Sequence, residues 1–227
     1  MGYINVTKKE LPPETYINLG LKHKFTVTTP DKWMLNKDLT VINSSYPPTM
    51  SSDLVASNFS GYAGYNIPIN QIADTTASIT SVEQVIKLKV TTTSSYWATV
   101  WQWEGCEVLH IPPYSYDIGI WSPNYPNHES SRITLTPNTW YWIKLVTDSS
   151  MNITCSYSTD GENYTVFGYG TAGTFPSDWT QYPLTMGRHA ANTSEGFRQG
   201  QIDFKGTYVK FNGTKTFYAI HQQEGEY

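Results

Sequence analysis

The stretch Trp140-Tyr141-Trp142-Ile143-Lys144-Leu145-Val146 decides the fold of this chain. Successive side chains of an extended strand point to opposite faces, so Tyr141, Ile143 and Leu145 share one face while Trp140, Trp142, Lys144 and Val146 share the other. Aromatic and β-branched residues at this density fit a pleated, half-buried surface. Pro137-Asn138-Thr139 turns the chain into this strand and Asp148-Ser149-Ser150 turns it out again. Ile153, Cys155 and Tyr157 then form the inward set of the next strand. Asp160-Gly161 reads as a hairpin turn, because glycine accepts the positive φ such turns need, and Tyr164, Val166 and Phe167 begin the return strand.

Working outward, the segment from Val82 to Thr91 sets Ile86, Leu88 and Val90 against Lys87 and Lys89, a strand with one wet face. Ser94 to Trp103 reads as another strand carrying Trp97, Val100, Trp101 and Trp103, and Gly105 turns it. Near the C-terminus, Ile202 and Phe204 are apolar at even positions and Val209 and Phe211 at odd ones, so a bulge is expected at Lys205-Gly206. Asn212-Gly213 then turns the chain into Lys215 to Ile220. Many short strands punctuated this way give an all-β chain, a sandwich or a barrel.

Upstream, Lys24-Phe25-Thr26-Val27-Thr28 and Leu39-Thr40-Val41-Ile42 are weaker strand candidates. The nearest thing to a boundary is Ser44 to Asp53, around Tyr46-Pro47-Pro48. Residues 1–50 are therefore expected to be N-terminal strands or an anchoring arm, and 51–227 the main domain. With 227 residues the chain is long enough for one substantial core.

Charged residues make up 15% of the chain, and 17 tyrosines and 8 tryptophans replace them, leaving little from which to build amphipathic helices. A net charge of -4 with dispersed lysines and arginines offers no footprint for phosphate backbones, so nucleic acid is not an expected partner. No apolar run is long enough for a membrane span, and residues 1–7 lack a signal-peptide pattern, so no membrane insertion is expected. Cys106 and Cys155, the two cysteines, cannot supply a four-cysteine zinc site. No cofactor and no metal site are expected.

Several of these segments resemble a known family. Trp140 to Leu145, the hairpin Ser158-Thr159-Asp160-Gly161-Glu162-Asn163-Tyr164, Leu184-Thr185-Met186-Gly187, Gly200-Gln201-Ile202-Asp203-Phe204 and Tyr208-Val209-Lys210-Phe211-Asn212-Gly213 resemble the concanavalin A-like lectin/glucanase superfamily. More narrowly, they look like the laminin-G-like jelly rolls of bacteriophage tail, fibre and capsid-surface proteins. Ser57-Asn58-Phe59-Ser60 followed by Tyr65-Asn66-Ile67-Pro68 looks like that family's entry strand. The resemblance runs from about residue 54 to 218. It implies a two-sheet antiparallel β-sandwich (jelly roll) with ligand loops around a concave face, and makes 51–227 a lectin-like domain.

The superfamily includes glycoside hydrolases, which usually need two carboxyl groups flanking the scissile bond. The E-x-D-x-E run of its retaining glucanases is absent, and Glu104 and Glu107 differ by an odd number, which would put them on opposite faces of a strand. No catalytic residue is expected. Sugar binding needs less: a flat aromatic face for the ring and a few polar partners for its hydroxyls. Tyr114, Tyr116, Asp117, Trp121, Asn124, Tyr125, Trp179 and Tyr182, in two loop regions, offer that combination. The alternative for Trp121 and Trp179 is that they plug the ends of the sandwich.

The expected function is a non-enzymatic, lectin-like virion component of a bacteriophage, made in the host cytoplasm, that attaches to host-surface glycans. Its partners would be glycan, other virion proteins and copies of itself as a homo-oligomer. The alternatives are a structural capsid decoration without a glycan site, and a divergent glycoside hydrolase or carbohydrate-binding module.

Overall fold

A computed structural model describes residues 40–41, 45–53, 55–60, 62–67, 80–103, 106–122, 131–174, 184–190 and 194–218. Among them the fold is a two-sheet antiparallel β-sandwich of jelly-roll type with no helix. The seven-stranded sheet runs, in spatial order, β1 (Thr40–Val41), β4 (Tyr65–Ile67), β13 (Leu184–Met186), β6 (Ala98–Trp103), β7 (Glu107–Ile111), β8 (Asp117–Trp121) and β9 (Arg132–Thr134). The eight-stranded sheet runs β12 (Thr165–Thr171), β11 (Asn152–Ser158), β10 (Trp140–Thr147), β5 (Val82–Val90), β14 (Gly200–Phe211), β3 (Val55–Ser57) and β2 (Thr49–Met50), with β15 (Thr214–Tyr218) paired off β14.

Strand β10 alternates as its sequence dictates. Tyr141, Ile143 and Leu145 are buried and face Leu88, Ile86 and Gln84 of β5 in register. Ile153 and Cys155 of β11 continue that inward row, and Tyr157 packs against it. Ile202, Phe204, Val209 and Phe211 of β14 complete the wall, with a register shift between Asp203 and Tyr208 that spans the expected bulge. Thr207 holds the bulge: its hydroxyl accepts from Lys87 N and donates to the Asp203 carbonyl.

From the opposing sheet come Trp101, Trp103, Leu109, Ile118 and Ile120, all fully buried. Trp103 meets Phe211 edge-on across the interior, with ring centroids 6.0 Å apart. Burying a side chain of this size stabilises the fold by roughly 2 to 3 kcal/mol.

Turns follow the residues read for them. Gly161, Asn212 and Gly213 all have positive φ. In the 158–163 turn the Asp160 carboxylate accepts from the Asn163 side-chain amide, the Ser158 hydroxyl and the backbone N–H groups of Asn163 and Glu162, which together hold it well below its ordinary range.

The structure differs from the sequence reading in two places. Strand β6 starts at Ala98 rather than Ser94: the Ser94 hydroxyl accepts from Tyr96 N and its carbonyl from Tyr114 N, so residues 94–97 serve a loop instead of a ladder. And the face carrying Lys87 and Lys89 is half-buried rather than simply wet, because tryptophans of β10 lie against those lysines. Thr40–Val41 and Thr49–Met50 each join a sheet edge, whereas Lys24 to Thr28 lies outside the described residues.

Candidate functional site

Of the eight residues singled out for sugar binding, four are described, and these are spread along residues 114–121. Tyr114 is 77% exposed, in a left-handed backbone conformation with φ 55°. Tyr116 is half-buried and packs against the core. Asp117 opens β8, and its carboxylate accepts from the Thr134 hydroxyl at 2.6 Å. Trp121 closes the same strand, half-buried, and so lies roughly 13 Å along the strand from Asp117. Asn124, Tyr125, Trp179 and Tyr182 lie outside the described residues.

What the structure does assemble is a rim at the end of the sandwich where β5 ends. Four segments meet there through backbone hydrogen bonds. Tyr114 N donates to Ser94 O at 2.7 Å, Asn138 N to Val90 O at 2.8 Å, and Thr91 N and Thr92 N to Gln199 O at 2.7 and 3.3 Å. Between residues 92–96 and 198–199 opens a cleft of about 280 Å³, lined by Thr92, Thr93, Ser94, Ser95, Tyr96, Arg198 and Gln199.

The chemistry of this cleft is mixed. Tyr96 is half exposed, and the Arg198 guanidinium lies over its ring, 4.8 Å from the centroid. Four hydroxyl side chains line one wall. Gln199 is 1% exposed, and neither polar atom of its carboxamide has a hydrogen-bond partner among the described residues. Buried amides are nearly always satisfied, so this one has unused capacity for a donor and an acceptor. Tyr114, anchored on Ser94, brings a second exposed aromatic to the same rim. Tyr96, Arg198 and Gln199 were not among the residues expected to bind; the hydroxyl run Thr91 to Ser95, closing on Tyr96-Trp97, is the sequence signal that marks half of the site.

Elsewhere the ionisable groups serve the fold. Glu107 is enclosed between the sheets, accepting hydrogen bonds from Gln84 and Thr147 of the opposite sheet. Burial pushes its carboxyl up to about 7, although both hydrogen bonds pull the other way. Glu104 lies outside the described residues. Cys106 and Cys155 are buried free thiols, and burial, aided by the Glu107 charge, pushes both well above their ordinary range. His110 stacks edge-on against Trp97, with centroids 4.8 Å apart. Among the described residues, no group of three or more His, Cys, Asp or Glu could hold a metal ion.

The sheets and this rim define an all-β jelly-roll domain with an open polar and aromatic cleft at one end. No family model matches the chain, and no curated protein matches it. Some solved structures resemble it in part, at low identity. A botulinum neurotoxin serotype D binding domain is 10% identical over 76% of this chain, TM-score 0.46. The catalytic domain of a GH131 β-glucanase from Podospora anserina is 12% identical over 79%, TM-score 0.42. A heptameric SAP-like pentraxin from Limulus polyphemus is 11% identical over 58%, TM-score 0.39. The match spans 42% of the toxin domain, 81% of the glucanase domain and 64% of the pentraxin.

Proposed function

We propose that this chain is a non-enzymatic, lectin-like surface protein that binds host-surface glycans and, as a bacteriophage virion component, attaches the particle to its host. The observation that carries the glycan reading is Tyr114. A bulky side chain in left-handed backbone costs about 1 to 2 kcal/mol. Here that strained residue presents its ring to solvent, and its backbone N–H is bonded to Ser94, one of the residues lining the hydroxyl-rich cleft. An aromatic plane next to hydroxyl, amide and guanidinium groups is the pairing that sugar rings ask for, an apolar face with polar edges.

Enclosure of Glu107 between the sheets supports the non-enzymatic reading, since a carboxyl bonded to Gln84 and Thr147 is not presented to a glycosidic bond. The particle context rests on the resemblance of segments 140–164 and 184–213 to phage surface jelly rolls. A shallow rim site has modest affinity, and repetition on a particle supplies avidity.

A glycan array probed with the artificially multimerised chain tests this. Binding to a subset of glycans, weakened about tenfold or more in Tyr114→Ala with an unchanged melting temperature, is the expected result. Absence of binding to any glycan by the wild-type protein would overturn the reading. Capsid or tail genes beside its own gene are expected for the particle context, and a neighbourhood without them counts against it.

A further inference from the structure

We infer that the rim cleft selects a sugar bearing one carboxylate, with Arg198 as the group that reads the charge. This rests on the glycan-binding reading and narrows its ligand class. Among the described residues, Arg198 is the charged side chain of the cleft lining, and no carboxylate lines it. Its guanidinium makes no ion pair among the described residues and is held by stacking on Tyr96, 4.8 Å from the ring centroid. Stacking fixes the plane of the fork while leaving its N–H edge free, and that planar fork matches a carboxylate bidentately.

The remaining lining suits the rest of such a sugar. The side chains of Thr92, Thr93, Ser94 and Ser95 offer hydroxyls, and the Gln199 carboxamide offers a donor and an acceptor that nothing among the described residues uses. At about 280 Å³ the cleft falls just below the range of drug-sized sites, so it takes one ring of a glycan rather than a long segment. A terminal or branching acidic residue, uronate or sialate, fits that description.

The test is a binding series on immobilised glycans in four arms, sialylated, uronate-containing, sulfated and neutral, with wild type, Arg198→Gln and Lys205→Gln. Lys205 is an exposed cation with the Asp53 carboxylate 3.8 Å away, and it controls for loss of any positive charge. One or both carboxylated arms are expected to bind best, more weakly at high salt, and about tenfold or more weaker in Arg198→Gln, while Lys205→Gln matches wild type. Melting temperatures of both variants should match the parent, because Arg198 is exposed.

Equal binding of neutral glycans, or wild-type binding by Arg198→Gln, overturns the acidic-sugar assignment and leaves glycan binding standing. Preference for the sulfated arm alone overturns the carboxylate in favour of another anion. Silence in all four arms removes the glycan reading itself.

Discussion

Cations and aromatic rings meet in two regions of this molecule, and they are used in opposite ways. On the outward face of the eight-stranded sheet each of four lysines lies over a ring, and two of them, Lys87 and Lys210, also pair with a carboxylate. Lys87 lies over Trp142 at 4.6 Å and pairs with Asp203 at 2.8 Å; Lys89 lies over Trp140 at 4.8 Å; Lys144 lies over Tyr164 at 3.6 Å. Lys210 pairs with Glu83 at 3.0 Å while the Tyr208 hydroxyl donates to the same carboxylate. Burial raises the Glu83 carboxyl, but these hydrogen bonds outweigh it and leave the group below its ordinary range. At the rim, among the described residues, Arg198 over Tyr96 has no carboxylate partner and the neighbouring Gln199 amide has no hydrogen-bond partner. A closed ladder contributes to stability, whereas an unfinished one has capacity left for a ligand. The comparison therefore predicts that substitutions on the sheet face change stability without changing binding, and that those at the rim do the reverse.

The largest effect is expected where that separation must break. Gly187 has φ +85°, and a Cβ there would stand 2.1 Å from the Phe59 ring. Its carbonyl accepts from Phe197 N, the residue before Arg198, and Phe197 in turn lies 6.1 Å from Phe59. Gly187→Ala combines overpacking with left-handed strain, so a loss of about 3 to 4 kcal/mol is expected in denaturant unfolding. Glycan binding should weaken alongside, because the support beneath Arg198 shifts. A variant with parental stability would show that Phe59 yields at no cost.

The interior adds a pH dependence that belongs to neither region, and removing it sharpens the contrast. The Glu107 carboxyl is raised from 4.5 to about 7 by burial, so the folded state holds the proton more tightly than the unfolded chain. Its stabilising contribution is complete below the unfolded value, falls as pH rises between the two, and is lost above about 7. Glu107→Gln keeps the shape and removes the titration. Relative to its own value at pH 4, the wild type should lose on the order of 3 kcal/mol more than this variant by pH 8. Parallel stability curves for the two proteins would sink the assignment. Any pH dependence of glycan binding that survives in Glu107→Gln then arises at the surface.

The sheets were legible because strand faces are written in local alternation: Tyr141, Ile143 and Leu145 are buried as their spacing requires, and the parity switch between Phe204 and Val209 marks a real register shift. The rim was not. Its halves, 92–96 and 198–199, are joined by contacts such as Thr91 to Gln199, 108 residues apart, and no local pattern announces such a meeting. The same limit hid what Trp142 does. From sequence alone an outward tryptophan suits a sugar or the core equally well; only the register that sets Trp142 opposite Lys87 shows that its face is taken. Tyr116 likewise reads as a loop aromatic, yet it packs against the core while Tyr114, two residues earlier, does not.

Trp142 supplies the finest test of the comparison. Besides Lys87, its indole lies beside Gly161 and Gly206: a Cβ at either glycine would stand 3.0 Å from Cε2 or 2.8 Å from Nε1 of Trp142. The ring thus ties the 158–163 turn and the β14 bulge to the middle of the sheet. Because it is only half-buried, Trp142→Ala should cost about 2 kcal/mol, from partial loss of apolar burial and of one cation–π contact. Binding per folded molecule should stay at the wild-type level in the same glycan series. If binding falls with stability, the sheet face is part of the ligand surface and its cations are not closed off from it. If only stability falls, the ladder's aromatics are structural and the rim's are the ones left for recognition.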